Sequence, residues 1–68
     1  MAMKIKVNGE AREVAEGANI LALLADAKLK PNLVAVEVNK RLVRSEKYDQ
    51  PLKAGDEVEI VTFVGGGA

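Results

Sequence analysis

Asp56-Glu57-Val58-Glu59-Ile60-Val61-Thr62-Phe63-Val64, running straight into Gly65-Gly66-Gly67-Ala68, is the stretch on which the fold turns. It opens with acid/apolar alternation and continues as an apolar, β-branched run, the pattern of a strand that is half buried and then wholly apolar. Side chains alternate along a strand, so Val58 and Ile60 are expected on the core face and Val61 and Phe63 on the other. An apolar pair turned away from the core beside a glycine end predicts a docking surface for a partner. Glycines offer nothing to pack and hold no fixed backbone conformation. The predicted organisation is therefore one domain over residues 1–64 and a flexible tail over 65–68. At roughly 3.3 to 3.6 Å per extended residue the tail reaches about 13 Å, far enough to enter another protein's active site. Its only chemical group is a terminal carboxylate. A glycine-rich end is by itself equally the mark of a frayed terminus, so the reading depends on the rest of the chain.

That inventory is narrow. The chain has 68 residues, enough for one small domain and no second. Without Cys, His or Trp it lacks disulfides, thiolate or imidazole metal ligands and the usual nucleophile-plus-base pairs. An enzyme acting alone is not expected, nor is a metal or cofactor. Ten Lys+Arg balance ten Asp+Glu, and one Phe and one Tyr are too few for a base-stacking platform. Nucleic acid is therefore not an expected partner. No apolar run is long enough to span a bilayer and the start lacks a signal-peptide layout, which predicts a cytoplasmic protein with no membrane partner.

Working back from the closing strand, Lys4-Ile5-Lys6-Val7 alternates charge with apolar side chains and is followed by Asn8-Gly9. Asn-Gly between alternating runs is the strongest short hairpin signal, because a type I′ turn needs positive φ at both central residues; residues 10–14 are expected to return as a second strand. Asn19 is placed to cap a helix, and Ile20, Leu23, Leu24 and Ala27 share one stripe at helical spacing. The predicted helix runs from residue 20 to 28 or 29, with Pro31 ending it. Val34, Val36 and Val38 share a face of the next strand, and Asn39-Lys40 turns it into a short strand over 41–43. Residues 44–51 read as a crossover loop with about one turn of helix, Tyr48 and Leu52 tucked against the body. Arg44, Lys47 and Lys53 in and beside it are read as an ordinary solvated face.

Two hairpin-like pairs thus flank one helix, which one sheet face must cover. With short, right-handed connections the last strand fits best beside the first, parallel to it and central. The expected fold is α+β, a β-grasp (ubiquitin-like) arrangement with a mixed four- to five-stranded sheet on one helix. Its expected core is Ile5, Val7, Leu23, Leu24, Val36, Val58 and Ile60.

The chain resembles the ThiS family, the small sulfur carriers of thiamine biosynthesis. The likeness runs from Lys4-Ile5-Lys6-Val7-Asn8-Gly9 through Ile20-Leu21-Ala22-Leu23-Leu24 and Ala35-Val36-Glu37-Val38-Asn39 to the closing strand and its glycines. The early motifs are common ones; a β-grasp strand running into a diglycine is specific. The resemblance implies a protein that is itself a substrate. An E1-like adenylating enzyme (ThiF type) uses ATP to activate the terminal glycine carboxylate, a cysteine desulfurase pathway supplies sulfur to form a thiocarboxylate, and thiazole synthase (ThiG type) takes that sulfur. Carried over by position, Gly67 bears the thiocarboxylate, Gly66 is its diglycine partner and Gly65 belongs to the thread; the alternation of the closing strand adds the expectation that Phe63 and Val61 dock the activating enzyme.

Ala68 departs from this pattern, since such carriers end at the diglycine. Either it is trimmed, or it is tolerated, or the chain is not an active carrier. Two other readings share the fold. The small subunit of molybdopterin synthase, MoaD, has the same tail chemistry, but its chains are generally longer and tend to carry Pro before the tail, which Thr62-Phe63-Val64 does not. A TGS-type binding module has no use for a glycine terminus.

Overall fold

Asn8 and Gly9 take φ of 52° and 85°, the left-handed pair that a two-residue hairpin turn requires. They fold β1 (Ala2–Val7) back on β2 (Glu10–Ala15) with Met3 opposite Val14, Ile5 opposite Arg12 and Val7 opposite Glu10. The computed structural model describes residues 1–63. Both strands are longer than expected. Ala2 pairs with Ala15, Glu16 N–H donates to the Met1 carbonyl at 2.8 Å, and Met3 joins Ile5 and Val7 in the core. Since the apolar period of β1 already includes Met3, its burial follows from the same alternation once pairing extends that far.

Asn19 caps α1 (Ile20–Asp26), its side-chain oxygen accepting the Ala22 N–H at 2.9 Å. Ile20, Leu23 and Leu24 are the buried stripe of the helix. The helix stops earlier than its periodicity suggests, and Pro31 is not what stops it. Lys28 adopts φ 58°; its N–H donates to the Ala25 carbonyl at 3.1 Å and the Leu29 N–H to the Leu24 carbonyl at 2.8 Å. These two closing bonds around a left-handed residue are a Schellman cap. They leave Ala27 exposed and turn Leu29 onto the core. Pro31 instead opens a 3₁₀ turn, Pro31–Leu33, where its missing N–H costs nothing. A lysine in a glycine position bears a steric cost, so Lys28→Gly should raise stability by about 0.5 to 1 kcal/mol, read as a higher urea midpoint. A lower midpoint would contradict the cap as described.

From this turn the chain enters β3 (Val34–Val38) and returns as β4 (Arg41–Val43) through Asn39 and Lys40, at φ 54° and 69°. A 3₁₀ turn, Ser45–Lys47, leads to Tyr48 and Leu52, both buried. Arg44, Lys47 and Lys53 are exposed. The final strand, β5 (Glu57–Thr62), pairs antiparallel with β3 and parallel with β1, giving the five-strand order β2-β1-β5-β3-β4 with β5 at the centre.

α1 covers one face of this mixed sheet, and the core between them contains the buried side chains of Met3, Ile5, Val7, Ile20, Leu23, Leu24, Val34, Val36, Tyr48, Leu52 and Val58. Ile60, expected in the core, is only half buried. It lies beyond the end of β1 and beside the early stop of α1, so a cleft of about 250 Å³ opens next to it between Val7, Leu23 and Leu29. Asp56 also falls outside the strand; its carboxylate accepts the Lys53 N–H at 2.9 Å and so closes the turn into β5. The far end of the expected strand at Val64, and the expected tail over 65–68, lie outside the described residues.

Candidate functional site

β5 is clamped from both sides by the two turn asparagines. On one side Asn8 N–H donates to the Val58 carbonyl at 2.8 Å, and the Asn8 side-chain oxygen accepts the Ile60 N–H at 2.8 Å. The amide thus continues the ladder past the last residue of β1. On the other side Asn39 N–H donates to the Glu57 carbonyl at 2.7 Å and Asn39 Oδ1 accepts the Glu57 N–H at 3.0 Å. Its Nδ2 donates to Asp56 at 3.0 Å. Asparagine suits both turns because it tolerates the left-handed region. It also brings an amide that bonds as a second backbone does. The consequence is a rigid base for whatever follows Phe63, whose own N–H still donates to the Leu33 carbonyl at 2.9 Å.

The sheet face away from α1 is uncovered, and register shows what it presents. Lys4 stands opposite Glu13 and Lys6 beside Glu57. Across the other half, Glu59 stands opposite Glu37, Glu37 opposite Leu42, and Val61 opposite Ala35. Val61, opposite Ala35, is 59% exposed, on the face that strand alternation predicts for it; Phe63, 60% exposed, lies just past the end of β5. Leu42, at 69%, is a second exposed apolar side chain on this face. Sequence reasoning placed a strand over 41–43 without assigning its faces; with Val43 packed against the core, strand alternation alone turns Leu42 outward. Gly65, Gly66 and Gly67 lie outside the described residues. Among the described residues no group of three or more His, Cys, Asp or Glu is placed to hold a metal ion, and no helix is long and apolar enough to cross a membrane.

A family model described as the ThiS family matches residues 5–67. The chain belongs to the ThiS family. The crystal structure of a thiamine biosynthesis protein (ThiS) from Geobacter metallireducens superposes with a TM-score of 0.77 at 38% identity, over 96% of this chain and all of that one. A solution structure of a thiamine biosynthesis protein from the same organism gives 0.77 at 37% identity, over 97% of this chain and 90% of that one. These neighbours agree with the β-grasp order described above. This ThiS-family chain is also similar to two proteins named thiazole synthase. In Paramagnetospirillum magneticum the identity is 39% over 67 residues, 97% of this chain and 21% of that protein. In Magnetococcus marinus it is 39% over 66 residues, 96% of this chain and 20% of that protein. The ThiS-family chain therefore spans about a fifth of the length of these curated relatives.

Proposed function

We propose that this protein is a sulfur carrier for thiamine biosynthesis, acting as a substrate and not as an enzyme, with Gly67 as the residue that carries the sulfur once hydrolysis of the Gly67–Ala68 peptide bond has freed its carboxylate. The observation that carries the reading is the family match through residue 67, which takes in the glycines as well as the domain. The chemistry suits such a terminus. A carboxylate is a poor electrophile until one oxygen becomes part of a leaving group. An E1-like adenylating enzyme of the ThiF type achieves this by joining that oxygen to the α-phosphorus of ATP and releasing pyrophosphate. A persulfide charged by a cysteine desulfurase pathway then displaces AMP to give an acyl disulfide, and a thiol reductant cleaves its S–S bond to leave the thiocarboxylate. Gly65 and Gly66 carry no Cβ, so the end threads a narrow channel. A carrier loaded at the expense of ATP suits the cytoplasm, which is the proposed location.

Thiazole synthase of the ThiG type is the proposed acceptor. Supporting it, a segment like this whole chain occurs within two proteins of that name. Intact mass of protein ending at Gly67, measured after incubation with the adenylating enzyme, ATP and a sulfur source, tests the reading; one oxygen exchanged for sulfur at the C-terminus is the expected result. Removing residues 66–68 should abolish it. A protein that keeps full function without them is a binding module instead.

Docking is assigned to Phe63 and Val61, the exposed pair at the end of β5. Phe63→Ala should weaken association with the adenylating enzyme by about 2 kcal/mol or more, the effect of removing an aromatic anchor, and leave the unfolding midpoint nearly unchanged. Val58→Ala should do the reverse, since Val58 is in the core. If Phe63→Ala unfolds the domain and leaves the affinity intact, the docking assignment fails.

A further inference from the structure

The charges on the open sheet face are matched on one half and unmatched on the other. Over β2, β1 and the start of β5, Lys4 is opposite Glu13 and Lys6 beside Glu57. Over β5 and β3, Glu59 is directly opposite Glu37; the contrast between the halves is one of register, since the ion pair among the described residues joins Arg12 of β2 to Asp26 of α1 at 3.6 Å, and neither half of this face holds one. Directly opposed side chains in an antiparallel pair have Cβ atoms about 4.5 to 5.5 Å apart, and like charges at that spacing destabilise the sheet. This pair is bordered by Leu42 on β4 and by Val61 on β5, with exposed Phe63 just past the end of that strand.

Resting on the docking role given to Phe63 and Val61, we propose that the β5-β3-β4 half of this face receives a basic side chain of the adenylating enzyme. Its guanidinium or ammonium group sits over Glu37 and Glu59 while Leu42, Val61 and Phe63 fill apolar hollows around it. A cation shared by two carboxylates turns their repulsion in the free domain into attraction in the complex, and a planar guanidinium can donate to both at once. The apolar surround excludes water and strengthens that contact. A second copy of this chain does not fit the surface. A two-fold interface would set the same patch against itself, acid against acid.

The test is the double variant Glu37→Gln/Glu59→Gln, compared with wild type, with Phe63→Ala and with Glu13→Gln/Glu57→Gln, which removes equal charge from the matched half. Each is measured for thermal unfolding and for equilibrium binding to the purified adenylating enzyme at low and high salt. Removing the opposed acids should raise Tm by a few degrees, weaken binding about tenfold and flatten its salt dependence. No structural role of the two glutamates predicts opposite signs for stability and affinity. Unchanged affinity in this variant while Phe63→Ala binds weakly overturns the basic contact and leaves the docking role standing. Equal losses in the two double variants overturn it as well, because the effect is then one of overall charge. Wild-type protein that fails to bind the enzyme overturns both.

Discussion

Protein ending at Gly67 should acquire C-terminal sulfur about a hundredfold faster than protein ending at Ala68, in the presence of the adenylating enzyme, ATP and a sulfur source and without any peptidase. The enzyme activates whichever carboxylate is terminal. With Ala68 in place that carbon lies one residue, roughly 3.5 Å, beyond the point where a diglycine end puts it. On the proposed function, Ala68 also adds a methyl where the enzyme's channel takes a chain without Cβ atoms. Misplacement of reacting atoms by about 1 Å can cost about a hundredfold in rate, so the longer protein should be a poor substrate even though Phe63 and Val61 remain free to dock. Affinity should accordingly be equal for the two proteins while the loading rates differ. Equal rates, with the sulfur found on Ala68, would show that the residue is tolerated.

Leu24→Ala should cost on the order of 2 to 5 kcal/mol, measured as a fall in denaturant midpoint. Leu24 is 1% exposed in a core that one short helix and one sheet face build between them. A chain of 68 residues has only about 3 to 10 kcal/mol of stability at the usual 0.05 to 0.15 kcal/mol per residue. The substitution should therefore leave much of the population unfolded at moderate temperature. Leu21→Ala on the same helix is the control, since Leu21 is an exposed residue and its loss should move the midpoint little. Similar midpoints for the two variants would mean that α1 does not pack as described.

Most of the architecture was legible because it depends on local chemistry. Asn8-Gly9 is a turn whatever surrounds it, since few residues accept positive φ, and Asn39 marks the second turn even though Lys40 fits its position less well than glycine would. The alternation in β1, β3 and β5 declares which side chains leave water. The early end of α1 was not legible. The helical period continues to Ala27, and a lysine does not advertise a left-handed cap as glycine does; the Leu24 carbonyl and the core position of Leu29 close it. Ile60 was misjudged for a related reason. Strand parity gives the face of a residue but not how far the neighbouring strand and helix extend over it.

The sequence by itself determined the element order, the core stripe, the outward face of Val61, and the absence of Cys and His that rules out thiolate and imidazole chemistry. These follow from periodicity and composition, which are properties of neighbours in the chain. Tertiary structure alone decided that Asn8 and Asn39 clamp β5, that Leu42 shares a face with Val61, and that Glu37 meets Glu59. Each of these joins residues from different hairpins, and their meeting is set by strand order and register, which no local window encodes.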